Sequence, residues 1–160
     1  MTSAEPDLFD LIARAAWCAL ISRKRGRRGR EGFVISPTQV ANIIMAYEEA
    51  FWRHKDHEKA VKVLIAYLSK QVSRGEVDPG TLKWLKQALT RCSKPEEIRE
   101  ALGMFRWRFQ AGSGEIRTRE GRLSIREVLA KKRRRVRVEA LDLKSLLDHI
   151  EEALVKGRRP

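Results

Sequence analysis

The chain has little of what most enzymes and secreted domains are built from. Its 160 residues contain two cysteines, Cys18 and Cys92, each alone in a helical pattern. They read as small buried hydrophobes and do not amount to a disulfide framework or a zinc site. No apolar run approaches the roughly 20 residues of a membrane span, and the start Met1-Thr-Ser-Ala-Glu-Pro-Asp7 lacks a basic stretch followed by an apolar one. A cytoplasmic protein without membrane contact is expected. No Pro/Gly/Ser tract is long enough to divide two cores, so one domain with appendages is expected. A single Asn and four Gln beside 34% charged residues suit a thermophile.

Catalytic signatures are missing too. Walker, G-x-S-x-G and H-E-x-x-H motifs are absent. Gly26 and Gly29 lie among arginines with no strand before them, which is not a dinucleotide fingerprint. His54, Asp56, His57 and Glu58 form the one cluster of metal-ligand side chains. A third ligand at suitable spacing is lacking, and the cluster falls at a junction of two helices, where His commonly meets a helix end. His149 has no nucleophile beside it. No catalytic residue, metal or cofactor is assigned, and the chain is expected not to be an enzyme.

What the chain does have is positive charge, +13 in total. Much of it gathers in two blocks. The first is Arg23-Lys24-Arg25-Gly26-Arg27-Arg28-Gly29-Arg30, and the second, Arg117 to Arg137, holds ten Lys or Arg against Glu120 and Glu127. Guanidinium groups this dense repel one another, and a polyanion offsets the repulsion. The partner expected is nucleic acid.

Between the blocks the pattern is helical. Residues 7 to 22 place Leu8, Leu11, Ile12, Ala15, Ala16, Ala19 and Leu20 on one face, with Asp7 as N-cap. Glycines and like charges then predict a mobile basic loop over 23–32. Ser36-Pro37-Thr38-Gln39 is a capping box with Pro at the first helical position. Its helix runs to about Arg53, with Val40, Ile43, Ile44, Tyr47 and Phe51 on one broad inward face and Trp52 a further candidate for it. A helix over 56–74 stops at Gly75, another opens at Asp78-Pro79, and Ser93 with Glu96 opens a fifth that reaches about Gln110. The fold class expected is all-α: a compact bundle of about five helices over residues 1–111, with a basic extension over 112–160. In that extension Ser124 and Glu127 cap a short basic helix, and Val136 and Val138 alternate with Arg135 and Arg137 as in an extended segment. Asp142 then caps an amphipathic helix with Leu143, Leu146, Leu147, Ile150 and Leu154 in one stripe. That stripe fits packing on the bundle or docking to a partner.

Phe105-Arg106-Trp107-Arg108-Phe109 carries a second signal. Phe105 and Phe109 share a helix face, which turns Trp107 about 160 degrees from Phe105. An outward indole between two guanidiniums can stack on a base; burial against the C-terminal region is the alternative.

The order of elements over residues 33–110 resembles the small helical subunit of type III CRISPR effector complexes. Ser36-Pro-Thr-Gln39-Val40-Ala41-Asn42-Ile43 is similar to that family's Thr/Ser-x-x-Gln-Ile-Arg-Asn helix start. Glu100-Ala101-Leu102-Gly103-Met104-Phe105-Arg106 is similar to its Glu-Ala-Ile-Val-Ala-Tyr-His run. Ala41 stands in place of the family's arginine, and Phe105-Arg106 in place of its Tyr-His. The resemblance implies a non-catalytic subunit that stacks in several copies along a ribonucleoprotein and presents basic helices to guide and target RNA.

The expectation is therefore an RNA-binding subunit in which Arg23, Arg25, Arg27, Arg28 and Arg30 hold phosphates. Arg106, Trp107 and Arg108 form a second contact, and Lys131, Lys132, Arg133, Arg134 and Arg135 a third. A DNA-binding helical module and a small nuclease are the rival readings.

Overall fold

A computed structural model describes residues 5–25 and 31–158 of the chain. Among them lie seven α-helices and two short strand pairs. In chain order these are α1 (Leu8–Ile21), β1 (Arg23–Arg25), β2 (Glu31–Phe33), α2 (Pro37–His54), α3 (His57–Ser73), α4 (Pro79–Thr90), α5 (Pro95–Gly112), β3 (Glu115–Thr118), β4 (Gly121–Ser124), α6 (Ile125–Lys131) and α7 (Leu143–Arg158). The protein is thus mostly helical. No helix among the described residues is long and apolar enough to cross a membrane.

Local chemistry sets the helix starts. Side-chain oxygens of Asp7, Ser36, Asp56, Asp78 and Asp142 accept from the backbone N–H three residues on, at 2.7–3.2 Å, which satisfies donors the helix itself leaves open. At the end of α3, Gly75 takes φ 73°. Gly75 N then bonds Val72 O and Glu76 N bonds Gln71 O, closing the helix with a left-handed turn.

The core is arranged around α1. Leu11 to Trp17 are all buried, as are Ala19 to Ile21, and the helix is packed by α4, α5, α6 and α7. A helix covered on nearly all sides has to be apolar on nearly all sides, and α1 is. Its exception is Arg14, whose Nε donates to Leu141 O at 2.9 Å while the guanidinium lies 4.8 Å from the Trp84 ring. Asp10 accepts from Leu143 N, so α1 also helps cap α7. Of the α7 stripe, Leu146 and Ile150 are buried, with Ala153 beside them, Leu143 and Leu154 are half-buried, and Leu147 stays exposed.

Several expectations are corrected. The stretch read as a basic loop begins and ends as an antiparallel ribbon, β1 with β2, in the register Arg23↔Phe33, Lys24↔Gly32 and Arg25↔Glu31. A strand therefore does precede Gly26, in a hairpin and not in a strand–helix nucleotide fold. A second ribbon pairs β3 with β4. Ser93 does not cap α5: the helix starts at Pro95, and Ser93 Oγ donates to Glu97 Oε1 at 3.1 Å. Ser124 precedes α6 without a capping bond from its side chain. Val138 opens a 3₁₀ turn, Val138–Ala140, where extended chain was expected. Trp52 is exposed, not inward.

Candidate nucleic-acid interface

The first basic block leaves the C-terminal end of α1 directly. Val34 N donates to Ser22 O at 2.9 Å and closes the root of the β1–β2 ribbon. Within it the Arg23 guanidinium lies 5.0 Å from the Phe33 ring, and Lys24 Nζ donates to Gly75 O at 3.3 Å. Both side chains are nevertheless exposed. Arg27, Arg28 and Arg30 lie outside the described residues, as does the side chain of Arg25.

Arg23 and Lys24 share a groove of about 390 Å³ with Arg133 from the second block, over a floor that includes Val34, Asp78 and Pro79. The acid in this groove is turned inward. Asp78 accepts from Thr81 N at 2.9 Å and from Thr81 Oγ1 at 2.6 Å, and burial raises its pKa. Two segments more than a hundred residues apart thus bring cations to one concave surface, which no local pattern could predict.

The residue that joins them escaped the sequence reading. Arg126, the second residue of α6, is buried. Its guanidinium donates to Leu20 O, Ile35 O and Ala19 O at 2.7–2.9 Å and lies 4.0 Å from the Phe33 ring and 4.9 Å from that of Phe109. A signal was present: Arg126 shares a helix face with Leu129 and Ala130.

The remaining candidates separate. Lys131, Arg133, Arg134 and Arg135 are exposed where α6 ends and the chain turns. Lys132 is not available in the same way, because its ammonium sits 2.5 Å from Glu152 and 3.5 Å from His149 Nδ1 on α7. On α5, Phe105 and Phe109 are fully buried and Trp107 is 71% exposed. Arg106 is exposed and Arg108 half-buried. The outward orientation of Trp107 therefore holds and its burial does not. This face of α5 does not line the Arg23 groove.

His57 meets a backbone carbonyl, and both thiols are shielded from water. His57 Nε2 lies 3.1 Å from Cys92 O. Burial pushes the Cys18 thiol up to about 12 and that of Cys92 up to about 11, so neither is a thiolate at neutral pH. Among the described residues no group of three or more His, Cys, Asp or Glu is placed to hold a metal ion.

Comparison with models of known protein families, with curated proteins and with solved structures finds no match.

Proposed function

We propose that this chain is a non-catalytic RNA-binding subunit of a ribonucleoprotein, holding guide or target RNA by its phosphate backbone. The observation that carries this reading is the convergence of Arg23 and Lys24 with Arg133 on one groove. Lys and Arg on phosphates supply affinity without reading bases, which is what a subunit serving many RNAs requires. The outward Trp107 beside Arg106 adds a surface on which a base can stack.

The resemblance of residues 33–110 to the small subunit of type III CRISPR effectors fits this role. In that reading the five helices α1 to α5 form the body and residues 112–160 a basic extension. Partners are RNA and other subunits, including further copies of this chain, in the cytoplasm. Exposed Met45, Trp52 and Val63 on α2 and α3 offer apolar surface for such contacts.

The test is RNA binding followed by fluorescence anisotropy across a salt series. If six phosphates are engaged, log affinity falls against log salt with a slope of about 4 to 5, at roughly 0.7 per contact on a single strand. Replacing Arg23 and Arg133 together by Gln is expected to lower that slope by about 1.4 and leave base preference unchanged. Salt-independent binding, or a strong preference for one short duplex DNA sequence, overturns the reading.

A further inference from the structure

The second ribbon, β3–β4, carries arginines of its own. Its register pairs Glu115 with Ser124, Ile116 with Leu123, Arg117 with Arg122 and Thr118 with Gly121. Side chains alternate between the faces of a strand. Ile116 and Leu123 therefore lie together on one face, partly buried against the core, and Glu115, Arg117 and Arg122 lie on the other, exposed. Arg119 is exposed at the turn.

Arg117 and Arg122 are direct cross-strand partners. Cβ atoms so placed are about 4.5–5.5 Å apart, and like charges there destabilise the pair. Glu115 relieves it in part, since its Oε2 lies 3.6 Å from an Arg122 nitrogen. Among the described residues no acid pairs with Arg117. A two-stranded ribbon is marginal by itself in water, and repulsion across its free face weakens it further. An anion bound between the two guanidiniums removes that penalty and makes two charge-assisted contacts.

The ribbon is also firmly rooted. Ile125 N donates to Gly114 O at 3.1 Å across its base, and β4 runs straight into α6. There Arg126 grips the end of α1 and the Phe33 ring of the first ribbon. The first ribbon thus leaves the C-terminal end of α1, and the second, which runs from α5 into α6, has its base beside that end. Gly112, next to this root, is so close to Leu20 that an added Cβ would meet Leu20 Cδ1 at 2.4 Å, so α5 and α1 touch where the ribbon departs.

We propose that β3–β4 is a second phosphate-binding arm, in which Arg117 and Arg122 take phosphates of the RNA that the Arg23–Arg133 groove also holds. This rests on the RNA-binding reading above. It adds the ribbon to the Lys131–Arg135 turn as a contact of the second basic block; within that turn Lys132 is engaged by α7 and Arg133 lines the groove.

The experiment compares variants against a labelled single-stranded RNA of mixed sequence, over a salt series. Arg117→Gln/Arg122→Gln is expected to weaken binding and lower the log–log slope by about 1.4, for two contacts at about 0.7 each. Arg117→Lys/Arg122→Lys keeps the charge and is expected to keep the slope, which separates loss of phosphate contacts from loss of the ribbon. Glu115→Gln, which frees Arg122, is expected to tighten binding. Wild-type slope and affinity in the Gln variant overturn the arm; if Arg23→Gln/Arg133→Gln still weakens binding, the RNA reading survives alone. Absence of salt-dependent RNA binding in the wild type overturns both.

Discussion

Arg126 shows how much of this fold turns on a single side chain. A guanidinium has five donors in a planar fork, and here one fork serves three carbonyls, two of them, Ala19 O and Leu20 O, in the last turn of α1. Those carbonyls form the negative end of the helix dipole, so the cation is placed where it is most favourable. Burial, with some help from the charge of Arg23, brings its pKa down to about 10, which still leaves it cationic at neutral pH. Arg126→Met orphans the three carbonyls. Each buried polar group left unpaired costs about 1–3 kcal/mol, so the variant is expected to lose about 3 kcal/mol or more in urea denaturation. Arg126→Lys is expected to recover little, because one ammonium cannot reproduce the fork. Wild-type stability in the Lys variant would show that charge alone holds this junction.

At the scale of elements, the helices were legible and the ribbons were not. Ser36 and Asp78 advertise their helices through cap chemistry that acts within three residues, and the apolar spacing of α1 and α5 is as local. Ser93 misled because Pro95 fixes the first helical residue two positions on and draws the start of α5 with it. The ribbons are three or four residues per strand, too short for alternation to stand out, and they depend on pairing; the first also has Phe33 meeting Arg126, a contact from far along the chain. The same distance hid the groove shared by Arg23 and Arg133. For α7 the stripe was plain, but its polar neighbours were not: His149 lies 5.5 Å from the Trp17 ring, with Lys132 and Glu152 around it. Burial, then the Lys132 charge, lowers the imidazole pKa below its ordinary 6.5. As pH falls the unfolded chain therefore binds this proton first, so stability is full above 6.5 and declines as pH drops through the folded-state value. Thermal melts between pH 7.5 and 5 are expected to show that decline, and His149→Gln to reduce it. Asp78, whose pKa is raised by burial, acts in the opposite sense on acidification, and the difference between wild type and His149→Gln isolates the histidine. Identical pH profiles for the two would remove His149 as the source.

Over the whole molecule, the net charge of +13 is not offset by its ion pairs. The Arg53–Glu49 and Arg99–Glu48 pairs are exposed, and such pairs contribute about 0–1 kcal/mol at most. What the charge does provide is a field that draws a polyanion in, after which particular surfaces decide its path. Four tryptophans can report that path. Trp17 and Trp84 are buried, while Trp52 is 74% and Trp107 71% exposed, so quenching on RNA addition comes mainly from the latter two. If the strand runs from the basic groove to the outer face of α5, Trp107→Phe is expected to remove most of the quenching and Trp52→Phe to leave it. In binding, Trp107→Ala is expected to cost about 1–3 kcal/mol through lost stacking. The free protein is expected to change by less than about 0.5 kcal/mol, as for other exposed positions. Phe105→Ala, on the buried side of the same helix, is expected to destabilise the fold by about 3–5 kcal/mol instead. Equal quenching in the wild type and in Trp107→Phe would take α5 out of the RNA path. Among the described residues, the groove, the two ribbons and the exposed cations of the Lys131–Arg135 turn would then remain as the recognition surface.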